Sequence, residues 1–235
     1  MNGSVELVPS VPDAFARMVA AALTEPRPDR FSLFLSGGST ARQCYQRLAQ
    51  VGSAGSGVSW DTVDIYLGDE RCVPVDHPDS NHRMIAETLL DRVGPVGSDH
   101  PMYRSGSPSS AAADYQAVIS PLPAFDLVHL GLGPDGHCAS LFPDSHALGV
   151  VDPSILVVAN QDPNADNPHD RITLTYPGIA RARLVVFTVS GASKRDAFAG
   201  IVSGSDLPAA RVTADRIVWL VDGDAAGDTP LPPEA

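Results

Sequence analysis

Apolar positions along the chain fall into two alternating rhythms. Phe15, Met18, Val19, Ala22 and Leu23 recur at the three-and-four spacing of a helix, and Pro26 closes that stripe. Phe31-Ser32-Leu33-Phe34-Leu35 is instead a short, nearly continuous apolar run, the mark of a strand buried on both faces. A second helical stripe follows at once through Ala41, Cys44, Tyr45, Leu48 and Ala49, with Ser39 or Thr40 placed to cap it and Gly52 to end it. The alternation continues with a strand over 62–67 and a helix opened by Ser80 or Asn81 that turns Ile85, Leu89 and Val93 inward. Ser107-Pro108 starts a helix through Ile119, with proline at the first position, where its missing N–H leaves nothing unpaired. Further strands are predicted at 125–130, 155–159, 171–175, 184–189 and 217–221, with a helix over 193–202. Strands separated by helices predict an α/β fold: an open, largely parallel, Rossmann-like sheet with helices on both faces.

Small-residue and polar stretches at 52–57, 105–110 and 161–170 read as loops, and the Pro/Asp/Ala-rich end predicts a flexible tail over 224–235. At 235 residues the chain is expected to form one α/β domain, 1–235. Its net charge of −12 argues against nucleic-acid and anionic-membrane partners, which need an excess of Lys and Arg. An anionic substrate would then need a local cluster of positive groups. Asp13 and Arg17 interrupt the only apolar stretch suited to a secretory signal, and no run is long enough to span a bilayer, so the expectation is a cytoplasmic protein. Cys44, Cys72 and Cys138 are odd in number and widely spaced, which fits neither a disulfide framework nor a zinc motif. Monomer and small homo-oligomer both stay open.

The chemistry concentrates where apolar runs meet glycines. Phe125 to Leu130 runs into Gly131-Leu132-Gly133-Pro134-Asp135-Gly136-His137, a strand ending in a turn that carries an acid and a histidine. Strand ends of open α/β sheets deliver side chains to the ligand crevice. Gly131-x-Gly133-x-x-Gly136 also matches the dinucleotide fingerprint formally, but that motif must open a long helix and Pro143 stops one within two turns. Ser36-Gly37-Gly38-Ser39-Thr40 lies between strand and helix, where backbone N–H groups and the helix dipole favour a phosphate, although a small-residue turn is as often a mere connection. Gly68-Asp69-Glu70-Arg71 ends another apolar strand; such charges are usually a solvated loop, but the strand-end position favours a site. Lys194 follows Ser190-Gly191-Ala192-Ser193 at a further strand end, where a lone lysine is ordinarily surface decoration. Of seven histidines only His137 has an acid beside it in a glycine turn, and none shows metal-ligand spacing, so no metal is assigned. Cys138 reads as a small buried apolar residue, and Gly-x-Ser-x-Gly is missing, which leaves a serine-hydrolase elbow unsupported.

Four blocks together resemble the glucosamine-6-phosphate isomerase/6-phosphogluconolactonase family: Leu35 to Thr40, Gly68 to Arg71 with Ser80-Asn81, Gly131 to Pro143, and Arg171 to Thr175 followed by Gly191 to Lys194. Ala139-Ser140-Leu141-Phe142-Pro143 after Asp-Gly-His resembles the lactonase branch, whereas the deaminase branch typically continues Ala-Phe-Asn-Glu-Pro. Cys138 stands where the family often has threonine. The resemblance implies a glucosamine-6-phosphate isomerase-type fold and cofactor-free hydrolysis of 6-phospho-D-glucono-1,5-lactone in the pentose phosphate pathway. His137 would activate water and Asp135 would orient His137 or the sugar hydroxyls. Ser36, Gly37, Gly38, Ser39, Thr40, Asp69, Arg71, Arg171 and Lys194 form the candidate substrate-binding set, with the phosphate-contacting groups among them undecided. A deaminase or isomerase would use Asp69 and Glu70 as proton-transfer groups. A noncatalytic sugar-phosphate sensor is the third reading, and its usual DNA-binding helix-turn-helix segment is not found ahead of the domain.

Overall fold

The computed structural model describes residues 1–231 except Pro28, Ala54, Ala165 and Asp166. Its strands are β1 (Ser4–Leu7), β2 (Phe31–Leu35), β3 (Val63–Leu67), β4 (Asp69–Arg71), β5 (Ser98–Asp99), β6 (Phe125–Gly131), β7 (Val157–Asn160), β8 (Arg171–Leu174), β9 (Ala182–Val189) and β10 (Arg216–Val221). Its helices are α1 (Val11–Thr24), α2 (Ser39–Val51), α3 (Asn81–Ile85), α4 (Asp91–Val93), α5 (Pro108–Ile119), α6 (Tyr176–Ile179), α7 (Arg195–Val202) and α8 (Gly223–Ala226). Seven strands form one open sheet in the order β1-β10-β9-β6-β2-β3-β5, with every neighbouring pair parallel. All five residues of β2 are buried, as its continuous apolar run requires. α1 buries Val11, Phe15 and Val19, and α2 buries Cys44, Tyr45 and Leu48, the stripes that their periodicity predicts.

Several expectations are corrected. The strands expected near 155–159 and 171–175 do not join the parallel sheet; β7 and β8 pair antiparallel in a second, three-stranded sheet of order β4-β8-β7. Among the described residues of the polar loop 161–170 no helix carries the chain across the sheet, as a parallel pairing would need. Asp69-Glu70-Arg71, read as the charged end of the strand over 62–67, is a separate strand, β4, and pairs with β8. Neither Ser39 nor Thr40 caps α2: the N-cap is Gly38 at φ 103, with no side-chain cap, and Ser39 is the first helical residue. A left-handed φ of that kind is cheap only for glycine. The helix opened by Ser80 is interrupted by a π-helical stretch, Ala86–Leu90, between α3 and α4. The expected tail is also shorter, because Asp222 accepts from the Ala225 N–H at 2.9 Å and caps α8, burying Ala225 and Ala226. Residues 232–235 of that expectation lie outside the described residues.

Both sheets share one apolar cluster, which includes Leu127 and Val185 from the large sheet and Ile172 and Leu174 from the small one. The small sheet therefore sits as a fixed wall against the large one. Among the described residues no helix is long and apolar enough to cross a membrane.

Candidate active site

A cleft of about 260 Å³ opens at the C-terminal ends of β2, β6 and β9, and β4 of the small sheet closes one side. β2 and β6 are neighbours, yet the chain leaves β2 toward β3 and leaves β6 toward β9. Strand order reverses between them, and that is where open α/β sheets hold their ligands. Ser36, Gly37, Gly38, Ser39 and Thr40 line the cleft together with Asp69, Arg71, Gly133, His137 and Lys194.

His137 owes its position to the turn after β6. The Gly133 N–H donates to the His137 carbonyl at 2.8 Å, and the Gly136 N–H donates to the Gly133 carbonyl at 3.1 Å. This folds Asp135 under the imidazole: Nδ1 lies 2.6 Å from Asp135 Oδ1, which also accepts the His137 backbone N–H at 3.1 Å. Burial pushes the Asp135 carboxyl up, but the side-chain bond and charge of His137 and its N–H outweigh it and hold the pKa below the ordinary value. An ionised Asp135 fixes the proton on Nδ1 and leaves the Nε2 lone pair for chemistry. Phe142 packs edge-on, 5.0 Å from the ring centre. Gly133 has no room for a side chain, since a Cβ there would lie 2.2 Å from His137 Nδ1.

Arg71 is anchored from the small sheet. Its Nη1 donates to the Asp79 carbonyl at 2.9 Å and to Asn81 Oδ1 at 2.8 Å, while Asn81 Nδ2 donates to the Asp69 carbonyl at 2.9 Å. A Cβ at Gly37 would lie 1.9 Å from Asn81 Oδ1, so this glycine lets the β2 turn approach the anchor. Asp69 accepts from the Ser140 hydroxyl at 2.7 Å. Lys194 and Arg71 carry no ion pair among the described residues, which leaves two cations facing the cleft. Burial pulls Lys194 below the usual lysine value, with the Asp135 carboxylate acting the other way.

Of the candidate set Arg171 lies elsewhere; Glu70, named for the deaminase alternative, also faces away, and Cys138 is the buried packing residue expected. Arg171 is buried outside the cleft wall, and its Nη1 donates to the Pro168 and His169 carbonyls at 2.6 and 3.0 Å. Glu70 is buried and receives the Asn81 and His82 N–H groups at 2.7 and 2.8 Å, so it closes the N-terminus of α3 rather than facing the cleft. Cys138 is buried, and burial pushes its thiol far up, so it reads as a packing residue. Sequence reasoning missed Asn81, Asn167 and Thr188 as lining residues. Asn81 was visible beside Ser80 at a helix start, but Asn167 and Thr188 gave no signal. A further sign went unused: Lys194 is the chain's single lysine. Among the described residues no group of three or more His, Cys, Asp or Glu is placed to hold a metal ion.

A carboxylate-oriented imidazole in a cleft with two cations that carry no ion pair among the described residues, at a strand-order reversal, defines an α/β enzyme site for a small anionic substrate. Residues 3–219 match the profile of the family described as glucosamine-6-phosphate isomerases/6-phosphogluconolactonase, and the chain belongs to that family. It is 36% identical over 248 residues to a 6-phosphogluconolactonase of Nostoc sp., covering 97% of this chain and 99% of that protein. The 6-phosphogluconolactonase structure from Thermotoga maritima superposes with a TM-score of 0.81 at 31% identity, covering 94% of this chain and 100% of that one. A monomeric glucosamine-6-phosphate deaminase superposes with a TM-score of 0.79 at 19% identity over 95% of this chain and 98% of that one, which is a likeness of fold.

Proposed function

We propose that the chain hydrolyses 6-phospho-D-glucono-1,5-lactone to 6-phospho-D-gluconate, a step of the pentose phosphate pathway, without a cofactor and as a single cytoplasmic domain. The observation that carries the reading is the His137–Asp135 pair, with Nδ1 2.6 Å from the carboxylate, in a cleft that also presents Arg71 and Lys194. His137 Nε2 takes a proton from water as the water oxygen attacks the lactone carbonyl. The tetrahedral intermediate collapses with cleavage of the ring C–O bond, and the imidazolium returns its proton to the departing ring oxygen. Ionised Asp135 stabilises the transient imidazolium. Arg71, Lys194 and the N–H groups of the Ser36–Thr40 turn at the start of α2 hold the phosphate. Asp69 takes the sugar side, and Arg171 acts from behind by fixing the loop at Pro168 and His169.

The deaminase reading needs Glu70 for proton transfer, and its engagement at the α3 N-terminus speaks against that use. Freshly generated lactone should be consumed faster with the protein than without it, after subtraction of spontaneous hydrolysis. Ammonia release from glucosamine 6-phosphate, with no acceleration on the lactone, would reverse the assignment.

A further inference from the structure

The loop between β7 and β8 contributes one described residue to the cleft wall, Asn167. Its backbone N–H and its side-chain Nδ2 both donate to Asp162 Oδ2, at 3.0 and 2.8 Å. The amide is thereby fixed with its NH₂ turned back onto the loop, and Oδ1 accepts no hydrogen bond from the described residues. Two residues on, His169 adopts φ 75, a left-handed conformation that a non-glycine residue keeps only when its surroundings dictate it. They do so twice: His169 Nε2 lies 2.9 Å from Asp79 Oδ2, and the His169 carbonyl accepts from Arg171. Asp79 also offers its carbonyl to Arg71. The wall segment and a cleft cation therefore hang on one residue.

A fixed carbonyl oxygen cannot hydrogen-bond a phosphate dianion, because both are acceptors. It can accept from a sugar hydroxyl. We propose that Asn167 is a specificity-determining residue whose Oδ1 accepts a hydrogen bond from one substrate hydroxyl, and that His169 is the positioning residue that holds it there through Asp79. The division of labour is chemical: the cations take the phosphate, and Asn167 reads the polyol. The inference rests on the proposed lactonase activity for the identity of the substrate.

The test compares the parent, Asn167→Ala and His169→Ala on 6-phosphogluconolactone and on its 2-, 3- and 4-deoxy analogues. A neutral hydrogen bond corresponds to about a three- to tenfold effect, so Asn167→Ala should lower kcat/KM by that factor on the parent lactone, chiefly through KM. On the one analogue that lacks the partner hydroxyl, the parent and Asn167→Ala should perform alike. His169→Ala should show the same analogue-dependent pattern, which general damage to the fold would not produce. An unchanged KM for Asn167→Ala, or an equal loss on every analogue, overturns the role of Asn167; a parent-like His169→Ala overturns the positioning role. A parent protein inactive on the lactone fails the proposed function instead, and Asn167 is then read from the dissociation constants of 6-phosphogluconate and its deoxy forms. Identical constants for parent and variant overturn it there.

Discussion

Gly133→Ala tests the proposed catalytic pair, His137 and Asp135, without replacing either member. The added Cβ would stand 2.2 Å from His137 Nδ1, 2.3 Å from Cε1 and 2.6 Å from Asp135 Oδ1. Ordinary contact begins near 3.4 Å, so the imidazole has to retreat by about 1.2 Å or the turn has to open. Either movement stretches the 2.6 Å bond between His137 and Asp135 and shifts Nε2 relative to the lactone carbonyl. A misplacement of about 1 Å costs roughly 10²-fold in rate, equivalent to about 2.7 kcal/mol of transition-state stabilisation. The loss should fall on kcat, because Arg71 and Lys194, the proposed phosphate-binding groups, keep their places. Formation of 6-phosphogluconate from fresh lactone, corrected for spontaneous hydrolysis, measures the rate. The dissociation constant of 6-phosphogluconate and the thermal midpoint check that the cleft and fold persist. Folded Gly133→Ala enzyme with the parent kcat would refute the reasoning, since catalysis would then not depend on the geometry of this pair.

His137→Asn should lose about 10²–10⁴-fold in kcat with little change in KM, and a folded variant that keeps the parent kcat places the base elsewhere. Lys194→Ala should weaken 6-phosphogluconate binding by about ten- to a hundredfold, measured by calorimetry. Because Lys194 is the only lysine, amine-selective acetylation, the N-terminus aside, reports on it alone, and 6-phosphogluconate should protect it from the reagent. His129 is buried between the Tyr45 hydroxyl at 2.7 Å and the Thr188 hydroxyl at 2.8 Å, and burial lowers its pKa from 6.5 to about 3. Above pH 6.5 neither state is protonated there, whereas below it the unfolded chain takes a proton that the fold refuses until about pH 3, so stability falls with acid. Urea unfolding should show the parent losing about 2 kcal/mol more than His129→Gln between pH 6.5 and 5, and equal losses would sink this assignment.

The parts legible in sequence are those whose signal is local. β2, β6, β9 and β10 are apolar runs buried on both faces, and such runs announce themselves whatever lies beside them. Asp135 and His137 were legible because two residues and three glycines contain the whole pair. β4 was not, because Asp69 and Glu70 are buried carboxylates that carry no strand signal; Ser140 and the α3 N-terminus, far along the chain, make their burial tolerable. The strand signals of β7 and β8 were read, but an apolar run does not name its neighbour. Only the short loop between them indicated an antiparallel return. Arg171 illustrates the same limit in the site. It resembles Arg71 chemically and faces it in register across the small sheet, yet its guanidinium turns back to the carbonyls at 168 and 169.

The charge distribution follows from how the arginines are partnered. Arg27, Arg30, Arg47, Arg83, Arg183 and Arg211 each hold a carboxylate within 3.2 Å, so these positive charges are locally cancelled. Arg71 is held by a carbonyl and an amide oxygen, which orient the guanidinium without neutralising it, and Lys194 stands free of any ion pair among the described residues. At physiological ionic strength fields decay over about 8 Å, so the net charge of −12 acts weakly inside the cleft while cations in contact with a phosphate act at full strength. Under the proposed function the single dianion of a sugar phosphate would meet these cations while its uncharged ring reaches His137.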